Sequence, residues 1–239
     1  MTAPLFFVDS DALAADRITV DGGEGRHAAD VRRLRAGEAV DLGDGEGHMV
    51  RGIVTGATRG RIDVEVRERF AVAAPSPRFV VVQALAKGGR DLDAVEAMTE
   101  VGVDEIIAWQ AERSVAQSTA RTMERWTATA RAAAKQSHRA RIPAVVGPLS
   151  TDALVARLQS ARLGVVLHAE SPRSLTDLAL PNDGDVVLVV GPEGGLAPGE
   201  IDAFEAVGAA SHRLGDSILR TSTAGVAALS VLSAQRRWR

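Results

Sequence analysis

Over residues 1–72 the apolar positions come in short runs broken by turn residues. Leu5-Phe6-Phe7-Val8 and Arg17-Ile18-Thr19-Val20 read as short strands. His27 to Leu34 places Ala28, Val31 and Leu34 at helical spacing and reads as a short helix. Ala39 to Leu42 leads into Gly43-Asp44-Gly45-Glu46-Gly47, a hairpin signal. Alternating strands follow at Val50–Thr55 and Arg61–Arg69, parted by Gly56-Ala57-Thr58-Arg59-Gly60. Short strands and tight turns in this density predict a small β-barrel. Ala73-Ala74-Pro75-Ser76-Pro77 then reads as a linker, so domains are expected at 1–72 and 78–239.

Beyond the linker the period changes. Phe79–Leu85, Glu105–Trp109, Gly164–His168, Val186–Val190 and Ala210–Leu214 read as strands. Between them lie helical patterns. Leu92–Val101 has Leu92, Val95, Met98 and Val101 on one face and Gly102 as its cap. A long helix is expected from Ala120 to Arg139, stopped before Pro143, with shorter ones at Ala153–Leu158 and Ile201–Val207. Thr221–Arg237 reads as the closing helix. Strand and helix alternating in this way predict an α/β domain with a mainly parallel sheet.

The chain centres on Asp185–Glu200. Val186 to Val190 is an unbroken, β-branched run, as expected of a strand buried on both faces. Gly191-Pro192-Glu193-Gly194-Gly195 stops it, and Pro198-Gly199-Glu200 opens the next helix. Ligands of open α/β sheets bind where strands end, and glycines let backbone approach them. The loop is therefore either a ligand site or a tight strand-to-helix turn. No Lys-Ser/Thr follows, which excludes a P-loop, and the GxGxxG spacing of dinucleotide folds is missing.

Composition narrows the chemistry. With no cysteine among 239 residues, disulfides, thiol catalysis and cysteine metal sites are excluded. His27, His48, His138, His168 and His212 show no metal-ligand spacing, so no metal is expected. The N-terminus has neither a basic region nor a long apolar stretch, and no run approaches the ~18 residues a membrane helix needs. A cytoplasmic protein without membrane contact is expected. Net charge is −3, yet it is unevenly spread. Glu112–Arg141 holds seven cationic residues against two acids, and Arg213–Arg239 five arginines against Asp216. Glu170–Glu205 holds eight acids against Arg173. Basic clusters on a mildly acidic chain fit a polyanion docking on one face, or simply solvated helix faces.

Gly191 to Gly195 and, further on, Leu214-Gly215-Asp216-Ser217-Ile218-Leu219-Arg220-Thr221-Ser222-Thr223-Ala224 together resemble the paired signature of the SPOUT-class RNA methyltransferases. More narrowly, the chain resembles the RsmE family, which makes 3-methyluridine in 16S ribosomal RNA. His27 with Arg32, Leu34, Gly37 and Glu38 matches that family's N-terminal segment. Lys87 and Arg90, Glu100 to Val103, Glu112-Arg113-Ser114, and Gln136, Arg139 and Pro143 match later ones. Ser217 and Ser222 depart from it, standing where the family has Arg and Glu.

The resemblance implies a PUA-like barrel followed by a SPOUT-type α/β domain with a trefoil knot, acting as a homodimer. It implies that S-adenosylmethionine binds three loops after strands: Leu167 and His168; Gly191, Pro192, Glu193, Gly194 and Gly195; and Leu214, Gly215, Ile218, Leu219, Thr221 and Ala224. His168 has a plain structural reading as well. Arg220 is the candidate for stabilising a uridine anion, or else forms a salt bridge with an acid such as Glu193. Glu193 is a candidate base, or a carboxylate that ties the loop together. The RNA of the small ribosomal subunit would meet His27, Arg32, Arg113, Arg125, Gln136 and Arg139, with Gln136 and Arg139 on one helix face. The rivals are a 2′-hydroxyl methyltransferase of the same fold and a non-catalytic RNA-binding assembly protein.

Overall fold

The structure, a computed structural model, describes residues 3–117 and 119–238. Met1, Thr2 and Arg239, the outer ends of the two expected domains, lie outside the described residues. The chain forms two compact units. One comprises the residues up to Ala74 together with Ala134–Ile142, the other Pro75–Ala133 and Pro143 onward.

The first unit contains β1 (Leu5–Phe7), a 3-10 turn at Ser10–Ala14, β2 (Arg17–Val20) and α1 (Gly22–Arg26). A π-helical turn, His27–Val31, continues α1 and precedes β3 (Ala39–Gly43), β4 (His48–Thr58) and β5 (Arg61–Ala71). The five strands form one sheet in the order β1-β3-β4-β5-β2. Only the β1–β3 pair is parallel. Irregularities at Arg51/Gly52 and Val54/Gly56 interrupt the long β4–β5 ladder, and bulges of this kind bend a strand. Phe6, Val40, Leu42, Val50, Val54, Ile62 and Val64 fill the core of this unit.

Two expectations here change. The helix begins at Gly22 rather than His27. Gly22-Gly23-Glu24-Gly25 has poor helix propensity, so tertiary packing selects it. A side chain at Gly25 would sit 2.4 Å from the Gly60 carbonyl oxygen and 2.6 Å from that of Val20. The expected turn at Gly56–Gly60 shrinks to Arg59-Gly60, because β4 runs on to Thr58.

The second unit holds β6 (Arg78–Ala84), α2 (Arg90–Glu100), β7 (Glu105–Trp109) and α3 (Ala120–Gln136), whose last turn belongs to the first unit. There follow β8 (Ala144–Leu149), α4 (Thr151–Gln159), β9 (Leu163–Leu167), β10 (Asp185–Val190), α5 (Pro198–Ala206), β11 (Ala210–His212) and α6 (Thr221–Arg236). The six strands are all parallel, in the order β11-β9-β10-β6-β7-β8.

Phe79, Val81, Ile106, Val186 and Leu188 pack on one face against Val95 and Met98 of α2 and Leu229 and Leu232 of α6. Val80, Val82, Ile107, Val187 and Val189 pack on the other against Leu154 and Leu158 of α4 and Phe204 of α5. Burial on both faces is why these strands read as continuous apolar runs. β8 escapes the sequence pattern because it is an edge strand whose side chains are at best half-buried, with Pro148 where no partner needs an N–H. α3 ends at Gln136 instead of Arg139. His138 turns left-handed (φ 55°), and the Arg139 N–H reaches back to the Ala134 carbonyl at 2.8 Å. Arg139 therefore lies past the helix, and the shared helix face with Gln136 is lost.

Arg78, Glu105, Asp185 and Arg157 alternate in charge at the N-terminal ends of the strands. Arg78 reaches Glu105 at 3.0 Å and Asp185 at 3.3 Å, and Arg157 pairs with Asp185. The loops of interest lie at the opposite, C-terminal ends.

Candidate active site

The loop after β10 is held from several directions. Its turn closes through the Gly195 N–H donating to the Pro192 carbonyl at 2.9 Å. Gly195 has φ +73°, where a Cβ is strained, although one added there would meet nothing within 4 Å. Glu200, only 4% exposed, accepts from the backbone N–H of Ala197 at 2.9 Å and of Glu112 at 2.8 Å. That carboxylate supplies the N3 half of a helix cap and joins the loop to residues 110–114. Arg113 donates to the carbonyls of Leu196 (3.2 Å) and Gly194 (3.4 Å). Arg90 donates to Glu193 Oε1 at 3.3 Å.

At the loop's start, the Thr221 hydroxyl donates to the Gly191 carbonyl at 2.8 Å. Gln83 Nε2 donates in turn to Thr221 Oγ1 at 2.9 Å. Gln83 is fully buried, and its Oε1 has no partner among the described residues. One chain of two hydrogen bonds thus ties β6, the end of β10 and the first residue of α6.

These loops enclose a cleft of about 920 Å³. Leu167 and His168 line it after β9, Gly191 to Gly195 after β10, and Leu214, Gly215, Ile218, Leu219, Arg220, Thr221 and Ala224 after β11. Every residue named above for the cofactor, and both named for catalysis, therefore faces one space. His168 also links β9 to β11, its N–H donating to the His212 carbonyl at 3.0 Å. Among the described residues, 214–219 take part in no backbone hydrogen bond, so their amides and carbonyls remain available to a ligand. Arg220 is the exposed N-cap residue of α6, and its side chain has no hydrogen bond or ion pair among the described residues. The bridge from Arg220 to Glu193 is not formed: Glu193 pairs with Arg90.

S-adenosylmethionine fits this donor set. Leu167, Leu214 and Leu219 offer an apolar slot, the unpaired 214–219 backbone offers the polar edge of an adenine site, and Glu170, Glu193 and Asp202 face the cleft with negative charge for a cationic ligand. Gly195 leaves its part of the wall open, since a Cβ there touches no protein atom.

The residues expected to meet RNA are divided between the two units. Arg113 and Arg125 belong to the second unit, Arg113 against the glycine loop and Arg125 exposed on α3. His27, Arg32, Gln136 and Arg139 belong to the first. His27 packs edge-on against Phe6, ring centroids 5.9 Å apart. Burial, then the charge of Lys135, pushes its pKa down. Gln83 escapes a search for chemistry, although a lone amide inside the apolar run Phe79–Leu85 is its signal. Arg213 also lines the cleft. Among the described residues no cluster of three or more metal-ligating side chains occurs, and no helix is long and apolar enough to cross a membrane.

A family model for the RNA methyltransferase domain matches residues 74–233, and one for the RNA methyltransferase PUA domain matches residues 20–67. The chain is 44% identical over 247 aligned positions to ribosomal RNA small subunit methyltransferase E of Mycobacterium bovis, covering 100% of this chain and 94% of that one. Among solved structures, Lpg2936 from Legionella pneumophila, in complex with bound SAM, superposes with a TM-score of 0.87 at 26% identity over 98% of both chains. The methyltransferase E of Neisseria gonorrhoeae, bound to S-adenosyl methionine, shares the fold with a TM-score of 0.85 at 24% identity, again over 98% of both chains. With the cleft loops assembled and the similarity running the full length of the chain, this protein belongs to the ribosomal RNA small subunit methyltransferase E family.

Proposed function

We propose that this protein methylates N3 of a uridine in 16S ribosomal RNA, using S-adenosylmethionine, as a cytoplasmic homodimer. The observation that carries the reading is the cleft with Arg220 on its wall, a guanidinium that no carboxylate among the described residues neutralises. When bound, S-adenosylmethionine supplies an electrophilic methyl group. The glycine loop and residues 214–219 hold and orient it. Methyl transfer is a direct displacement, so positioning supplies much of the rate.

N3 of uridine carries a proton and must lose it to attack. Glu193 is oriented through one oxygen by Arg90, and its other oxygen, without a partner among the described residues, is our candidate acceptor for that proton. The resulting charge spreads to the flanking carbonyl oxygens of the base, where the Arg220 guanidinium stabilises it. Phosphates of the RNA meet Arg125, Gln136 and Arg139, with His27 and Arg32 adding contacts on the N-terminal unit. Arg113 serves first to brace the loop. The knotted threading implied by the resemblance belongs to the same reading.

Nucleoside mass spectrometry tests the reaction: 3-methyluridine should vanish from 16S ribosomal RNA when the gene is deleted and return with the wild-type gene. Its persistence after deletion, or loss of a 2′-O-methylated nucleoside instead, overturns the assignment. Arg220→Ala should lower the single-turnover rate by ~10²-fold or more with donor affinity little changed. Higher pH should partly restore it, since more uridine is then already deprotonated.

A further inference from the structure

The guanidinium groups that line the cleft are those of Arg90, Arg113, Arg213 and Arg220. Two of them are engaged by the protein. Arg90 donates to Glu193, and Arg113 to the Gly194 and Leu196 carbonyls. Arg220 stands exposed at the N-cap of α6, where the reading above sets it against the uridine. Arg213 is the one of the four that is half-buried.

The backbone of Arg213 is fixed from both directions. Its N–H donates to the Arg173 carbonyl, and its carbonyl accepts from the Leu175 N–H, both at 2.9 Å. It is therefore the last anchored residue before 214–219, whose backbone makes no hydrogen bonds among the described residues. Its side chain is not matched in the same way. Nε is shielded from solvent and has no hydrogen-bond partner among the described residues, and the terminal nitrogens, which are not shielded, have none there either. A shielded N–H without an acceptor costs free energy. A ligand that brings an acceptor to this guanidinium recovers part of that cost.

The cleft's charges say which acceptor. S-adenosylmethionine carries a sulfonium, an ammonium and a carboxylate. Glu170, Glu193 and Asp202 suit the first two and repel the third. A carboxylate entering beside these acids needs a cation, and the planar guanidinium fork matches it with paired hydrogen bonds. Ser217, standing where the family signature has arginine, brings no charge to this wall. Arg213, four positions earlier and in the same cleft, does.

We infer that Arg213 binds the carboxylate of the donor's methionyl end and so sets the cleft's preference for a donor with an intact amino-acid tail. The inference rests on S-adenosylmethionine occupying this cleft and goes beyond it by naming the group that reads the carboxylate. That contact is made equally in the ground state and the transition state, so Arg213 governs donor affinity where Arg220 governs rate.

Calorimetry on the full-length protein tests this with S-adenosylmethionine and its decarboxylated form, which keeps both positive charges and lacks only the carboxylate. Wild type should prefer the intact donor by ~10-fold or more. Arg213→Ala should weaken the intact donor by a similar factor and leave the Kd of the decarboxylated one no weaker, so that the preference vanishes. Arg213→Met, which keeps the half-buried stem and removes the charge, should repeat this if alanine lets the wall collapse. Arg220→Ala should retain the preference, and the single-turnover rate of Arg213→Ala at saturating donor should stay near wild type. Equal weakening of both ligands in both Arg213 variants, a preference that survives them, or one lost in Arg220→Ala instead overturns the inference. Wild type that binds the two ligands alike while still making 3-methyluridine removes this inference alone. Wild type that binds neither removes the cleft assignment with it.

Discussion

Thr221→Val tests whether the buried chain Gln83–Thr221–Gly191 holds the cofactor loop. Valine keeps the shape and removes the hydroxyl, so two groups lose a partner: the Gly191 carbonyl and one N–H of the Gln83 amide. Leaving a buried polar group unpaired costs about 1–3 kcal/mol. Gly191 is only half-buried and belongs at the low end; Gln83 is fully buried and belongs at the high end. Together the loss is about 3–4 kcal/mol, which in a protein of this size lowers Tm by roughly 6–16 °C.

Gln83→Leu should be mild by comparison, about 0–1 kcal/mol. It removes an amide whose oxygen already lacks a partner and leaves Thr221 donating to Gly191. The double variant then suffers only the Gly191 loss beyond that of Gln83→Leu. A double-mutant cycle by calorimetry or urea unfolding should show coupling of about 2 kcal/mol, the pair being less destabilised than the sum of the singles. Additivity to within ~0.5 kcal/mol would mean that the chain is not an energetic unit. Donor affinity measured in parallel should fall for Thr221→Val.

Two further outcomes follow from local geometry. Gly195→Ala forces a side chain onto a residue at φ +73°; the free loop relaxes, binding restores the strain of about 1 kcal/mol, and calorimetry should show a donor Kd raised ~5-fold. Gly199→Ala, at a glycine with no positive φ and open surroundings, should leave Kd unchanged, and equal effects of the two would refute the argument. For Asp44, burial raises the pKa, but backbone N–H groups of Glu46 and His48 with the His48 and Ser10 side chains outweigh it and hold the carboxyl at about 2. A depressed carboxyl contributes stability above its unfolded pKa near 4 that is lost as pH falls through about 2, here at most about 2 kcal/mol and less after solvent screening. Asp44→Asn should therefore be less stable than wild type at pH 7 and match it near pH 2; the same deficit at both, by chemical denaturation, removes that account.

Some of this architecture is written locally. Val186–Val190 and Phe79–Leu85 declare a doubly covered parallel sheet because a strand buried on both faces has no polar positions to alternate with. The glycine loop declares itself because few residues other than glycine tolerate its turn, and Ile218 to Thr221 declares itself through the resemblance. These signals span a few residues each and survive without knowledge of the fold. β8 fails the same test: an edge strand with half-exposed side chains leaves no periodic imprint. α1 fails because its three glycines contradict helix propensity, and of these Gly25 alone is required by close packing.

What the sequence by itself determined, then, is the doubly buried strands, the main helices and the identity of the loops, since these follow from periodicity and backbone freedom over short stretches. The tertiary structure alone decided what those loops touch. Leu167, Gly191 and Leu214 meet in one cleft because β11, β9 and β10 are neighbours in the sheet, an order no local pattern encodes. The same assembly turned Arg113 toward the Leu196 carbonyl 83 positions away, paired Glu193 with Arg90 rather than Arg220, and set Gln83 against Thr221 across 138 positions. Such pairings are selected by the need of buried polar groups for a partner, wherever along the chain that partner lies. That selection left Arg220 without a partner among the described residues, and it is on this guanidinium that the proposed chemistry turns.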